Sequence, residues 1–270
     1  MVGSPTWFLA AGLSLASLIA VGVTIIHPER EGFLTEGEYP VTASSHALSH
    51  PLHQAIQQGS LTEVVSLLRQ GADPNHPQNG LTALHLATQV GNPTIMQVVM
   101  AAGADLEARD PDGKTPLVYS LHHSDPDGME ILLDQGADPN TQDNNLWTPL
   151  EHAAWLRRTE QVAILLNAGV DVNARDACGR SSLHYAVWVN DWEIVRQLLA
   201  AGADVNARDR CCASVLHWAA KAGNPEMVGY LIAAGADIHA NGSQGSVMDW
   251  ATPEVVPILR SAQTLAQASY

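Results

Sequence analysis

The chain has 270 residues and sets 13 lysines and arginines against 28 aspartates and glutamates, a formal net charge of −15. That balance argues against a nucleic-acid partner, since neutralising phosphates takes many cationic side chains, and it favours solubility or a basic protein partner. Three cysteines exclude a disulfide scaffold.

Trp7 to Ile26 is an uncharged run, WFLAAGLSLASLIAVGVTII. Twenty helical residues cover about 30 Å, the thickness of a bilayer core. The run lacks a basic start, exceeds the apolar length of a signal peptide and is not closely followed by a small-x-small cleavage pattern. An uncleaved anchor over 1–26 is therefore expected, with a cleaved signal as the alternative. Lys and Arg counts set orientation; the single Arg30 beyond the run and the signal-like position favour a non-cytoplasmic location for the rest of the chain. Cleavage would leave the protein secreted or periplasmic. Residues 27–48 are polar and acidic with Gly, Pro and Ser and no sustained period, which reads as a flexible linker.

From there the sequence repeats. The Asp of a Gly-Ala-Asp phrase falls at Asp73, Asp105, Asp138, Asp171 (where the phrase is Gly-Val-Asp), Asp204 and Asp237, at intervals of 32, 33, 33, 33 and 33. A leucine keeps the same period at Leu52, Leu84, Leu117, Leu150, Leu183 and Leu216. A fixed period of this length means stacked copies of one supersecondary unit, each touching only its neighbours. Within a unit, an Asp- and Gly-bearing turn such as Asp110–Gly113 leads to a Thr cap and a Pro at the first helical position, as at Thr115-Pro116. A second helix comes next, as in Glu193–Ala200, and Gly202 stops it. Gly113 and Gly179 suit a turn position of positive φ; Leu146 and Cys212 take that position in two other units, where strain is expected.

Thr115-Pro116-Leu117, Thr148-Pro149-Leu150 and the histidines His53, His85, His184 and His217 resemble the Thr-Pro-Leu-His phrase of the ankyrin repeat, from which Val118 and Glu151 depart. The resemblance implies an all-α ankyrin-repeat solenoid of stacked helix-turn-helix units with short β-hairpin-like turns. Its repeats would span about 49–76, 77–108, 109–141, 142–174, 175–207 and 208–240, with a degenerate cap over 241–263 and a tail over 264–270. His122 to Gly128 loosens the third unit, and 253–265 suits a closing helix.

No phosphate loop, nucleophile elbow or zinc-type Cys and His spacing is present, so no catalytic, cofactor-binding or metal-binding residue is assigned. The phrase histidines read as structural, bonding backbone near helix starts. His46, His50 and His53 would share a helix face suited to a metal, but Pro51 disfavours a helix through His50. Cys178 and Cys211 occupy equivalent turn positions in adjacent units, too far apart to bridge without turn movement.

Columns of the aligned units single out a site. The position after the two small residues of the first helix reads Gln57, Gln89, His122, Trp155, Trp188 and Lys221, and the resemblance puts this column on a concave recognition face. The turn-tip column reads Leu81, Lys114, Trp147, Arg180 and Ala213. Trp and Arg are enriched at binding hot spots, so Trp147, Trp155, Trp188 and Arg180, with His122, Lys114 and Lys221, form the candidate protein-binding set. Packing between units is the competing role for the tryptophans; Trp192 is expected to pack between helices, and the column of Trp218 is ambiguous. The expected function is a membrane-tethered, non-enzymatic protein-interaction module. An inhibitor or immunity-type protein that blocks a lytic enzyme is the alternative, and a metal or enzymatic role in the loose third unit is the remaining one.

Overall fold

The computed structural model describes residues 45–123 and 126–268. Helices come in antiparallel pairs. The first helices are α1 (Ser45–Gln57), α3 (Ala83–Val90), α5 (Pro116–Tyr119), α7 (Pro149–Trp155), α9 (Ser182–Trp188), α11 (Val215–Ala222) and α13 (Val247–Trp250). Their partners are α2 (Leu61–Arg69), α4 (Pro93–Ala101), α6 (Asp127–Asp134), α8 (Thr159–Asn167), α10 (Trp192–Ala200), α12 (Pro225–Ala233) and α14 (Val256–Ala268). Successive pairs stack, and one continuous core runs through Leu52, Leu84, Leu117, Leu150, Leu183 and Leu216, each no more than 1% exposed. The periodic leucine is thus the knob that each unit buries against its neighbours.

Three devices set the pairs in register. Thr82, Ser181 and Ser214 close capping boxes with the histidine three residues on, and Thr148 does so with Glu151; each box satisfies helix N–H groups that have no partner within the helix. The projecting turn tips are stitched by backbone bonds, Asn144 to Asp112, Ala177 to Asn145, Arg210 to Cys178 and Ser243 to Cys211, at 2.8–2.9 Å. On the far side, Asn75, Asn140, Asn173 and Asn206 each accept the N–H of the next unit's Gly-Ala/Val-Asp aspartate at 2.7–2.9 Å. The turns adopt little regular sheet: β1 (Asn241–Gly242) pairs antiparallel with β2 (Gly245–Ser246), and isolated bridges join Gln78 to Leu81 and Arg208 to Ser214.

Gly113 needs to be glycine twice over. Its φ is +84°, and a Cβ there would lie 2.4 Å from Asn144 Oδ1 and 2.8 Å from the Asn144 nitrogen. Leu146 and Cys212 hold the same turn position at φ 62° and 59°, so these two side chains do adopt the left-handed conformation their register implied.

Two local expectations are corrected. Helix α1 runs through Pro51: a proline costs one N–H bond and a ring clash, and here Leu52 and Ile56 bury completely while Ser49 O takes a bond from His53 Nδ1 at 2.7 Å. Trp192 is not packed between helices. It starts α10, whose buried positions are Ile194, Val195 and Leu198, and it remains 39% exposed with its ring 5.7 Å from that of Tyr230. The third unit is loose as anticipated: α5 is one turn long and passes into a 3-10 turn over Ser120–His122.

Among the described residues no helix is long and apolar enough to cross a membrane. The proposed anchor over 1–26 and the linker up to residue 44 lie outside the described residues.

Candidate functional site

The face formed by the turn tips and first helices is built on four buried turn aspartates. Oδ1 of Asp110, Asp143, Asp176 and Asp209 accepts the backbone N–H groups two and four residues on, at 2.8–2.9 Å, which closes each turn. Oδ2 then takes a hydrogen from a ring nine residues later. Tyr119 Oη donates to Asp110 at 2.7 Å, His152 Nε2 to Asp143 at 3.0 Å and Trp218 Nε1 to Asp209 at 3.2 Å, and Tyr185 Oη donates to Asp176. Burial, reinforced by the carboxylate bond, pushes both phenols up, so they stay neutral donors. Burial also lowers His152, outweighing the pull of Asp143, so the ring is a neutral donor as well.

Those anchored rings carry the predicted site residues. Tyr185 is flanked by two side chains of the preceding unit, Trp147 at 4.4 Å and Trp155 at 6.0 Å, and Trp155 meets Trp147 edge-on at 6.4 Å. One unit on, Trp218 is flanked by the equivalent pair: the Arg180 guanidinium lies over its ring at 4.6 Å and Trp188 meets it edge-on at 5.5 Å. At the end of the stack Lys221 Nζ lies 5.1 Å over Trp250. Turn tip and inner helix of one unit thus grip the anchored ring of the next. Edge-to-face aromatic pairs each add about 0.5–1.5 kcal/mol beyond area burial.

The seven predicted residues divide accordingly. Trp155 is 43% exposed and Trp188 38%, with Leu156 beside them at 40%. Trp147 is half-buried against the core, so it supports the neighbouring rings as well as facing outward. Arg180 is half-buried and Lys221 exposed, both over tryptophans. Lys114 lies 3.3 Å from Asp112 at its own turn tip. His122 packs against Tyr119 at 5.5 Å, and burial together with the nearby Lys114 charge lowers its basicity. The anchoring column, Tyr119, His152, Tyr185 and Trp218, was missed by the sequence reading. Its signal was available: each member lies nine residues beyond a turn aspartate.

The phrase histidines are structural in each case. In His85, His184 and His217 Nδ1 joins the capping box, whereas in His53 it meets the Ser49 carbonyl. Nε2 reaches a carbonyl of the next unit, Leu81 for His53 at 2.9 Å, Lys114 for His85 at 3.1 Å and Gly245 for His217 at 3.3 Å. His184 faces Ala213 in the same register. Cys178, Cys211 and Cys212 are exposed free thiols. Among the described residues no group of three His, Cys, Asp or Glu side chains could hold a metal.

A family model described as ankyrin repeats (3 copies) matches at residues 52–143, 112–176, 142–209 and 178–242. The chain belongs to the ankyrin-repeat family. Among solved structures, the ankyrin-repeat domain of Bcl-3 is similar at 32% identity and a TM-score of 0.70, covering 78% of this chain and 97% of that one. The human ASB11 ankyrin-repeat domain is similar at 27% identity and 0.69, with the same coverage. The repeats also resemble part of a putative palmitoyltransferase, ZDHHC13, of Danio rerio, 44% identical over 71 residues, and part of the ARF GTPase-activating protein GIT2 of Mus musculus, 31% identical over 110 residues. These matches span 26% and 35% of the chain but only 11% and 15% of the relatives, so what is shared is the ankyrin stack. An ankyrin-repeat stack is in general a non-enzymatic protein-interaction scaffold.

Proposed function

We propose that this protein is a membrane-tethered interaction module that binds one protein partner across the concave face of its fourth to sixth repeats, with Trp155 and Trp188 as anchors. The observation that carries this reading is the exposure of two large aromatics, 43% and 38%, on adjacent inner helices whose supporting rings are fixed by buried aspartates. Rigid aromatic anchors give affinity at low entropic cost, and exposed clustered apolar surface marks an interaction site. Trp147, Arg180, Lys221 and Lys114 frame them, and His122 marks the edge of the surface. The tether rests on the uncharged Trp7–Ile26 run, which would hold the stack at a membrane on its non-cytoplasmic side.

The test is affinity capture from native membranes with the full chain beside a Trp155→Ala/Trp188→Ala variant of unchanged helicity. One partner retained stoichiometrically by the parent and lost by the variant is the expected result. Recovery of the same proteins by both would make the two tryptophans packing elements only.

A further inference from the structure

The concave face is not charged like the chain as a whole. Turn tips and first helices carry Lys114, Arg180, Arg210 and Lys221, whereas the exposed carboxylates among the described residues of those elements are only Asp112 and Asp249. Arg157, in the link after the first helix of its unit, pairs with the half-buried Asp191 at 3.3 Å. Both exposed carboxylates are engaged, Asp112 with Lys114 at 3.3 Å and Asp249 with the Ser246 N–H at 2.8 Å. The remaining acids of this face, Glu151 and the turn aspartates, are buried. The exposed acidity lies elsewhere, on second helices such as Glu160 and Glu193 and in the row of Asp105, Asp138, Asp171, Asp204 and Asp237 just beyond them.

Two of the cations are held by rings rather than by carboxylates. Arg180 lies over Trp218 at 4.6 Å and hydrogen-bonds the Tyr185 side chain, with no carboxylate of the described residues within ion-pair distance and its Nε buried without a partner. Stacking occupies the face of a guanidinium, and the terminal donors that Tyr185 does not use are left for a carboxylate. Lys221 sits over Trp250 one unit on, likewise without an ion pair among the described residues. Beside Arg180, on the same Trp218 ring, stands the exposed Trp188.

We propose that the face around Arg180 and Trp188 docks an extended acidic segment of the protein partner, with a carboxylate on the edge of Arg180, a second near Lys221 and an apolar side chain against Trp188. The inference rests on the concave-face reading and specifies the chemistry of what binds there. A long polyanion such as nucleic acid is disfavoured, because the net charge of −15 repels it beyond the few cations of the face. A short acidic segment meets only the local positive field.

The probes are two ten-residue peptides, alternating Glu-Leu and alternating Lys-Leu, and a ten-nucleotide oligothymidine, titrated against the detergent-solubilised full chain by tryptophan fluorescence. The Glu-Leu peptide is expected to bind at least tenfold more tightly than the other two, more weakly as salt rises. Arg180→Gln should weaken it about tenfold and Arg180→Lys by less, each with an unchanged melting temperature. Should Arg180→Gln prove unstable, Lys221→Gln, expected to weaken binding a few-fold, takes its place. Equal or tighter binding of the Lys-Leu peptide, preference for the oligonucleotide, or no binding of the Glu-Leu peptide at millimolar concentration would overturn the acidic specificity. If the Lys-Leu peptide binds and the Trp155→Ala/Trp188→Ala variant loses it, the concave-face reading survives and only the partner chemistry fails.

Discussion

Glu151 stands where four other units place histidine. Its Oε2 accepts the Thr148 N–H at 2.7 Å, as Nδ1 does elsewhere, but its Oε1 is buried with no partner at the position where imidazole Nε2 meets the next unit's carbonyl. Burial, with the nearby Asp176 and Asp143 charges, pushes its carboxyl up to about 8. The proton it then keeps near neutrality makes the acid a donor, in place of a histidine N–H. A raised folded-state pKa confers stability that is complete below the ordinary carboxylate range and is lost as pH rises through about 8. Glu151→Gln, whose amide donates at any pH, should therefore flatten the fall in melting temperature between pH 6 and 9; an unchanged slope would locate that loss in other groups. Leu146 and Cys212 offer a second test at this scale. An L residue at positive φ costs about 1–2 kcal/mol, partly offset by the unfolded-state entropy of glycine, so Leu146→Gly and Cys212→Gly should each raise stability by about 0.5–1 kcal/mol in urea titration. Their positions were legible from the sequence, because a turn column holding glycine in some units reports what it demands of the rest. The orphaned Glu151 oxygen was not, since its burial is set by tertiary packing rather than by the local sequence.

The element that repeats is a turn and a helix closed by one aspartate. Removing the hydrogen that Tyr185 gives to Asp176 leaves Oδ2 of a buried carboxylate short of a donor, so Tyr185→Phe should cost about 1–3 kcal/mol. The same substitution should also loosen Trp155, because its edge-on neighbour is no longer pinned; the tryptophan emission maximum should shift to the red. An unshifted maximum would mean that Trp147 alone fixes the ring. This clamp escaped the sequence reading because helix and strand patterns are read at spacings of three, four or two, and nine residues spanning a turn fit neither. The helices themselves were legible, as capping Thr or Ser, Pro at the first position and the periodic leucine all point to the same start. Trp192 was misplaced for the opposite reason: its column was judged by a family tendency, whereas its side chain begins a helix and turns outward.

For the whole molecule, the proposed tether and the stack are separable in experiment. The full chain is expected to stay in the membrane pellet after alkaline carbonate extraction, and a chain lacking residues 7–26 to move to the supernatant with unchanged helicity; equal release of both would remove the anchor. The asparagine row has a further consequence. Asn75, Asn173 and Asn206 also donate to a carbonyl of the next unit, Gly103, Gly202 and Gly235, at 2.9–3.2 Å, so each junction there is held by a two-way bond. At the junction to Asp138 the row is occupied by Glu107, whose carboxylate accepts at 2.8 Å and has nothing to give back. That one-sided joint adjoins the shortest inner helix of the repeats, α5. Load applied along the stack would then flex it first at the third repeat, and the aromatic face beyond would swing as one unit.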